Sequence, residues 1–223
     1  MKRLEEIDRA DVPGGAQMVL YRRQSDFFIF VNGLELMGSR AHASEEQLAT
    51  LGCANLREVP GARVLIGGLG MGFTVRATLR SVADDAHVDV SELVPAVVRW
   101  NRGVLAPLAG APLSDPRVHV VEKDVATVIK DADGLYDAIL LDVDNGPSAL
   151  SSPLNARLYD DAGLGRAKRA LRPGGVLATW STSDDAKYTQ RLNRAGFATR
   201  IERPMARMGG GGRHVVWLAR KAE

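Results

Sequence analysis

Arg63-Val64-Leu65-Ile66-Gly67-Gly68-Leu69-Gly70-Met71-Gly72 is an apolar run followed at once by a glycine-rich segment. A short apolar run of this kind is typical of a buried strand. Glycines after it permit a tight turn and let a ligand approach the backbone closely. A helical pattern follows at 73–81, and the first turn of a helix presents unpaired N–H groups to an anion. The segment therefore predicts a strand, a ligand-binding turn and a helix, although glycine turns also serve packing alone.

Downstream of this segment, short apolar runs alternate with helical patterns. With the run at 63–66, the predicted strands are 87–90, 118–122, 136–142, 176–180, 197–201 and 214–219. The predicted helices are 73–81, 95–101, 125–130, 160–171 and 184–195. Strands that alternate with helices in this way favour a mostly parallel sheet covered on both faces. The fold class predicted is therefore α/β with a seven-stranded sheet, and Gly209–Gly212 is expected to form a turn before the last strand.

The first 45 residues have a different pattern. Apolar and aromatic residues dominate 17–22 and 26–31, and Asn32-Gly33 after them is a strong hairpin signal. We therefore expect a small β appendage over residues 1–45 and a main domain over 46–223. The main domain should begin with a helix to about residue 51, in which Ser44 is the N-cap of a capping box with Gln47.

Composition narrows the functional classes. The 223-residue chain has 29 basic and 27 acidic side chains, and this small surplus gives no support for nucleic-acid binding. The single cysteine, Cys53, is expected to pack in the core, and the four histidines show no metal-ligand spacing. No apolar run is long enough to span a membrane, and the charged N-terminus does not resemble a signal peptide. We therefore expect a cytoplasmic protein without metal.

Acidic residues follow the second and third strands, where ligands bind in open α/β sheets. Glu92 lies about twenty residues beyond the glycine loop, the distance at which an acid accepts hydrogen bonds from a ribose diol. It is preferred to Asp89 because it follows the strand end. Asp124 follows the third strand and can accept from an adenine amino group, cap the next helix, or do both. The predicted cofactor-binding set is Gly67, Gly68, Gly70, Gly72, Glu92, Asp124 and Val125.

The fourth strand ends in Asp142-Val143-Asp144-Asn145-Gly146-Pro147, where three polar side chains crowd the position before a turn. A carboxylate here can hold an amine and take its proton as the nitrogen attacks. We therefore predict Asp142 as the catalytic base, with Asp144 and Asn145 beside it. The alternative is an Asx-type turn without a catalytic part.

Several of these segments together resemble the spermidine synthase-like group of the Rossmann-like class I methyltransferase fold. The resemblance covers the first strand with its glycines, Glu92 with the helix after it, Asp115-Pro116-Arg117-Val118 with Asp124, and Tyr136-Asp137-Ala138-Ile139-Leu140-Leu141-Asp142. The N-terminal β appendage is also typical of that group. The resemblance implies a nucleoside site for S-adenosylmethionine or its decarboxylated form, a catalytic Asp142 and a homodimer.

The chain also departs from the aminopropyltransferases of that group. These enzymes carry an aspartate in the glycine loop that holds the amine of the decarboxylated donor, but here the loop has Leu69 and Met71 and no acid. A second aspartate of the strand-four motif is Asn145 here. The amine-binding tyrosine of the group lies in a segment like 43–47, which has none, and a further tyrosine has no counterpart in 204–208. Loss of acidic groups should weaken the binding of a dicationic amine.

The departures favour ordinary S-adenosylmethionine as the cofactor and a methyltransferase that acts on an amine or hydroxyl of a small molecule. An amine is the preferred acceptor. Candidate acceptor-binding residues are Arg40, His42, Glu46 and Trp180, while Glu45 and Glu46 are expected at solvated positions of a first helical turn. Trp180 can instead be a core residue. Two alternatives stay open: an aminopropyltransferase that uses the decarboxylated donor, and a nucleoside-binding protein without catalysis. A nicotinamide-dependent dehydrogenase fits less well.

Overall fold

The computed structural model describes residues 3–143, 146–147, 153–207 and 210–223. Its strands are β1 Glu5–Val12, β2 Ala16–Arg23, β3 Asp26–Val31, β4 Leu34–Gly38, β5 Arg63–Gly67, β6 His87–Ser91, β7 Val118–Val121, β8 Tyr136–Leu141, β9 Leu171–Ser181, β10 Phe197–Glu202, β11 Met205–Arg207, β12 Gly210–Arg213 and β13 Val215–Lys221. Its α-helices are α1 Ala43–Gly52, α2 Phe73–Ser81, α3 Pro95–Arg102, α4 Val125–Asp131, α5 Pro153–Tyr159, α6 Asp161–Ala170 and α7 Ala186–Arg194.

The main domain is built on a seven-stranded sheet in the order β10-β13-β9-β8-β5-β6-β7. Strands β9, β8, β5, β6 and β7 run parallel to one another, while β13 lies antiparallel to both β9 and β10. The predicted α/β class and mostly parallel sheet are therefore confirmed. Because parallel strands deliver their carboxyl ends to one edge, the segments after β5, β6 and β8 meet there.

Both faces of this sheet are covered, as the alternation of side chains along a strand requires. On one face, Val64 and Ile66 belong to a hydrophobic cluster that also contains residues of α1, α2 and α3. On the other face, Leu65 and Ile139 belong to a second cluster with residues of α4, α6 and α7. None of the helices that the structure describes has the length and apolar character needed to cross a lipid bilayer.

The N-terminal segment forms a four-stranded antiparallel sheet in the order β1-β2-β3-β4. The predicted turn at Asn32-Gly33 is confirmed, because both residues have a positive φ and β3 pairs with β4 across it. Strand β1 was not predicted from the sequence. Buried residues of β2 and β3, including Leu20 and Ile29, belong to the cluster that contains α1 and α2, so this sheet packs on the main domain.

Three local expectations need correction or qualification. Helix α1 has His42 at its N-cap without a side-chain cap, and Ser44 lies inside the first turn, so the capping box is wrong. Strand β9 begins at Leu171, five residues before the predicted start at 176, and its pairing with β8 is irregular where Pro173 and Gly174 interrupt it. Residues Gly210–Arg213 pair with β11 as a strand, whereas residue 209 lies outside the described residues. Cys53 is buried, as expected, and burial raises the pKa of its thiol to about 12.

Candidate functional site

The ends of β5, β6 and β8 lie side by side. Gly67 is in register with Ser91 of β6 and with Leu141 of β8. The pairing continues one step beyond the strands, since the N–H of Gly68 donates to the carbonyl of Ser91 at 2.9 Å and the N–H of Asp142 donates to the carbonyl of Gly67 at 2.8 Å. The glycine loop, the residue before Glu92, and Asp142 therefore meet at one edge of the sheet.

The glycine loop needs glycine at position 68 for two reasons. Its φ is +93°, in the left-handed region, and a Cβ there would lie 2.3 Å from the backbone oxygen of Asp142. Gly67 is restricted by space alone, because a Cβ would lie 2.8 Å from the side chain of Val125. Gly72 is the N-cap of α2. The loop is thus pressed against the end of β8 on one side and the start of α4 on the other.

Glu92 is buried and braces the glycine loop. Its carboxylate accepts hydrogen bonds from the N–H of Leu69 at 3.0 Å and from the N–H of Val94 at 2.8 Å. The side chain also lines a cavity of about 250 Å³. A carboxylate has about four lone-pair positions and can accept several hydrogen bonds at once. The geometry therefore allows Glu92 to bind a diol in the cavity while it shapes the loop.

Asp124 caps α4, which is the second of the two roles considered from the sequence. Its Oδ1 accepts from the N–H of Ala126 at 2.8 Å, and its Oδ2 pairs with the guanidinium of Arg157. Asp124 and Val125 both line the same cavity as Glu92. The structure thus brings together Gly68, Gly70, Glu92, Asp124 and Val125 around one space.

The N-terminal sheet forms the opposite wall of this cavity. The wall is apolar and consists of Val12, Pro13, Ala16, Met18, Ile29, Val31, Leu36 and Met37. Met37 reaches the glycine loop, because a Cβ at Gly70 would lie 2.9 Å from the Met37 Cε. The cavity therefore combines an apolar wall with a polar floor at the strand ends, as small-molecule sites commonly do.

Asp142 occupies the end of β8 and is partly buried. Its Oδ2 accepts a hydrogen bond of 2.5 Å from the hydroxyl of Thr74, in the first turn of α2. Burial raises the pKa of Asp142 to about 6, although the Thr74 hydrogen bond acts in the opposite direction. A carboxyl group of this pKa is ionised at neutral pH and can still accept a proton. Asp144 and Asn145 lie outside the described residues.

Glu45 was expected at a solvated position, and this prediction is wrong. The residue is only 8% exposed. It lies on the same helical face as Leu48, Ala49 and Gly52, which are all buried. Burial raises its pKa well above the usual value, and the negative charges of Asp142 and Glu46 raise it further. The structure therefore places a second carboxyl group near Asp142.

Ser44, beside Glu45, connects α1 with two aromatic side chains. Its Oγ accepts a hydrogen bond from Trp180 Nε1 at 3.1 Å and lies 2.8 Å from Nδ1 of His214. The rings of Trp180 and His214 meet edge to face with centroids 4.7 Å apart. Partial burial lowers the pKa of His214, which favours the neutral imidazole. Trp180 thus lies near the first turn of α1, and its indole N–H has a partner.

The remaining predicted acceptor residues are engaged with other side chains. His42 stacks on Phe73 with ring centroids 4.1 Å apart, and Glu46 pairs with Arg76. Arg40 is largely exposed and pairs with Asp26. None of these three predicted residues lines the described cavity.

Sequence reasoning missed Thr74, His214 and the burial of Glu45. Thr74 and His214 reach their partners through contacts 68 and 170 residues apart, which no local pattern predicts. For Glu45 a signal was present, because Leu48, Ala49 and Gly52 follow it at helical spacings of three, four and seven residues. Its charge was given more weight than its position.

Comparison with known proteins is consistent with this geometry. The family model for the spermine/spermidine synthase domain matches residues 42–194. A polyamine aminopropyltransferase of Mycobacterium tuberculosis is 30% identical over 171 residues, which cover 75% of this chain and 31% of that protein. Putrescine N-methyltransferase 3 of Nicotiana tabacum is 38% identical over 122 residues, which cover 54% of this chain and 30% of that protein. The chain thus spans about a third of the length of these relatives.

Solved structures support the same fold. Spermidine synthase from Thermotoga maritima superposes with a TM-score of 0.76 at 18% identity, covering 97% of this chain and 72% of that one. A probable spermidine synthase from Corynebacterium glutamicum gives a TM-score of 0.66 at 15% identity, covering 99% of this chain and 81% of that one. The fold is therefore the Rossmann-like fold of spermidine synthases. Because the family model spans more than half of the residues, the chain belongs to the spermine/spermidine synthase family.

Proposed function

We propose that this protein is a transferase that moves an alkyl group from the sulfonium centre of an S-adenosyl donor to the nitrogen of a small amine. The observation that carries the proposal is the position of Asp142. Its backbone touches the glycine loop at Gly68, and burial raises the pKa of its side chain to about 6. A base at this place can remove a proton from an amine that attacks a donor bound along the loop.

The donor would occupy the cavity between the strand ends and the N-terminal sheet. Glu92 would accept hydrogen bonds from the ribose diol, and Asp124 and Val125 would lie at the adenine. The observations that support this seat are the cavity of about 250 Å³ and the placement of these three residues in its lining. The apolar side chains of β2 to β4 would exclude water from the nucleoside.

The donor supplies an electrophilic carbon bonded to a positively charged sulfur. The protein residues orient the acceptor and accept one proton. In its neutral form the amine attacks that carbon in line with the C–S bond, and the bonding electrons leave with the sulfur as a thioether. Asp142 takes the proton that the acceptor ammonium group must lose and returns it to solvent. Positioning supplies most of the remaining acceleration, since this reaction needs no other catalytic group.

Aminopropyl transfer from decarboxylated S-adenosylmethionine is the best supported form of this reaction. The family model is that of spermine and spermidine synthases, and the relatives include polyamine aminopropyltransferases from two bacteria, with 30% and 34% identity. These comparisons outweigh the absence of an acidic residue from the glycine loop, which favoured a methyltransferase.

Methyl transfer from ordinary S-adenosylmethionine is the second candidate, and one contact favours it. Gly70 has a φ of +52° and a Cβ there would lie 2.9 Å from the Met37 Cε, so an acidic side chain at this position would be strained and would displace the end of Met37. A loop without an acid carries no negative charge that would repel the carboxylate of the ordinary donor. The putrescine N-methyltransferases of Nicotiana also match more than half of this chain.

Two measurements test the proposal: the first identifies the donor that binds, and the second identifies the group that is transferred. Calorimetric titration with S-adenosylmethionine and with its decarboxylated form gives the donor preference. Turnover with putrescine is then followed by the nucleoside product, which is methylthioadenosine after aminopropyl transfer and S-adenosylhomocysteine after methyl transfer. Binding without turnover of any amine would indicate a nucleoside-binding protein, and binding of neither donor would overturn the proposal.

A further inference from the structure

Helix α1 carries Glu45 to the same face of the sheet as Asp142. A Cβ at Gly52 would lie 2.4 Å from Leu140, so the last turn of α1 packs directly on β8. Leu140 and Asp142 are two positions apart and therefore point to the same face. Glu45 is seven residues before Gly52 on the same buried side of the helix, which places it about 10 Å away along the axis.

The neighbouring side chains hold Glu45 in this place. Ser44 is fastened to Trp180 and to His214, so the first turn of α1 is tied to the end of β9 and to the residue before β13. Thr74 holds Asp142 from the side of α2. Both carboxyl groups are thus carried by regular elements, which position functional groups better than loops do.

Glu45 lacks the partners that a structural carboxyl group has. Glu46, the next residue, pairs with Arg76 and with His42. Among the residues that the structure describes, no hydrogen bond or ion pair to the Glu45 carboxyl group is found, although the residue is 8% exposed. The Glu45 carboxyl oxygens are not among the fully buried, unpartnered side-chain atoms of the described residues, so a ligand can reach them. A carboxyl group of raised pKa beside a reactive group is typical of a functional site.

We propose that Glu45 and Asp142 form one binding site for the reacting nitrogen, and that this carboxyl pair selects a cationic primary amine over a hydroxyl acceptor. The inference rests on the proposed function and specifies its acceptor. Asp142 takes the proton of the ammonium group, and Glu45 accepts a second hydrogen bond from the same nitrogen. A neutral hydroxyl offers one proton and no charge, so it satisfies only one of the two groups.

The proton balance gives this pair a measurable signature. Burial and the negative charges of Asp142 and Glu46 raise the pKa of Glu45 well above its usual value, which favours its protonated form in the absence of an acceptor. Binding of an ammonium group between the two carboxyls favours their ionised forms, so Glu45 releases its proton to solvent. Asp142 then takes the ammonium proton, which leaves the neutral amine with the lone pair that attacks the donor carbon. We therefore expect acceptor binding to release protons, with an observed enthalpy that depends on the buffer.

The experiment compares the wild-type protein with Glu45→Gln, and Glu58→Gln serves as the matched control because Glu58 is exposed. Putrescine, butylamine and the corresponding diol are titrated in the presence of methylthioadenosine, in two buffers of different ionisation enthalpy. KM and kcat for the amines are measured with the preferred donor. Circular dichroism and donor affinity report whether each variant keeps its fold.

For Glu45→Gln we expect the amine KM to rise about 10- to 100-fold, as loss of a charged hydrogen bond implies, with donor affinity unchanged and proton release abolished. Glu58→Gln should match the wild type, and the diol should not react. If Glu45→Gln keeps the wild-type KM and proton release, the inference is overturned while the proposed function stands. If the wild type turns over no amine, the proposed function fails and takes the inference with it.

Discussion

At the scale of single residues, Asp142 and Glu92 both place a carboxyl group at the end of a parallel strand, but their surroundings differ. Glu92 accepts hydrogen bonds from two backbone N–H groups, which hold its carboxyl group in a fixed orientation. Asp142 has one hydroxyl donor, and burial raises its pKa to about 6. The first group therefore suits the binding of a diol and the second suits proton transfer.

Replacement of Asp142 by Asn is expected to lower kcat by about 100- to 10,000-fold, the usual contribution of a general base. Donor affinity should change little, because the Gly68 contact involves only the backbone of residue 142. In the wild type the base must be ionised, so kcat/KM should fall as the pH drops below about 6. Steady-state kinetics across pH provide the measurement. Turnover of the variant at the wild-type rate would exclude Asp142 as the base.

Replacement of Glu92 by Gln is expected to weaken donor binding about 10- to 100-fold, because a neutral amide accepts weaker hydrogen bonds from a diol. Glutamine keeps the length of the side chain and one oxygen for the N–H of Leu69, although it loses the acceptor for the N–H of Val94, so circular dichroism should accompany the titration. Calorimetric titration with the donor measures the change, and Glu122→Gln, at an exposed position, is the control. Equal affinities in variant and wild type would remove the ribose assignment.

At the scale of elements, the N-terminal sheet forms one wall of the cavity and packs on the main domain. Strand β1 is fastened to α3, since Asp8 accepts hydrogen bonds from Trp100 Nε1 at 2.7 Å and from Arg99 at 2.9 Å. Met37, at the end of the sheet, lies against Gly70. The shape of the donor site therefore depends on how this sheet docks, and not on the glycine loop alone.

The substitution Gly70→Asp tests this dependence. Alone it should weaken donor binding by about tenfold, because φ is +52° and Met37 fills the space, and strain at such a position costs on the order of 1–3 kcal/mol. Combined with Met37→Ala it should recover the part of the affinity lost to the steric contact and shift the preference towards decarboxylated S-adenosylmethionine, whose amine would gain an acidic partner. Competition titrations of the two donors measure the shift. If the double variant keeps the wild-type donor preference, the contact between Gly70 and Met37 does not determine which donor binds.

At the scale of the whole molecule, the carboxyl pair lowers stability when it is ionised. The pKa of Asp142 is raised from 3.8 to about 6, and that of Glu45 is also raised. Below the unfolded-state values both groups are protonated in the folded and unfolded chains, and nothing is lost. As pH rises, the unfolded chain releases these protons first, so the free energy of unfolding falls until the folded groups ionise too.

The double substitution Glu45→Gln with Asp142→Asn should therefore stabilise the protein, by an amount that grows with pH. We expect little difference from the wild type near pH 4 and a gain on the order of 2–3 kcal/mol above the folded-state pKa of Asp142. Urea unfolding at several pH values gives both free energies. A difference that does not vary with pH would mean that neither group has a raised pKa in the folded protein.

The amino-acid sequence alone predicted the α/β class with its seven-stranded sheet, and the polar residues at the strand ends that form the floor of the site. Apolar periodicity and glycine punctuation are local properties, so α2 was predicted at its observed bounds and most other main-domain elements were predicted within two residues. Helix α5 and strands β11 and β12 were not predicted. The convergence of the glycine loop, Glu92 and Asp142 also followed, because parallel strands share one carboxyl edge. Strand β1 was missed because charged residues dominate its first half and its apolar face becomes evident only against β2.

The side chains that surround Asp142 and those that close the cavity could not be predicted from the sequence and became evident in the tertiary structure. Thr74, Glu45, Met37 and His214 reach the site by packing between elements far apart in the chain, and such contacts leave no local pattern. The burial of Glu45 depends on the sheet beneath α1, which outweighs the usual preference of glutamate for solvent. Local sequence thus specifies which groups are present at a strand end, whereas packing specifies their neighbours, and the neighbours determine their pKa values and their chemistry.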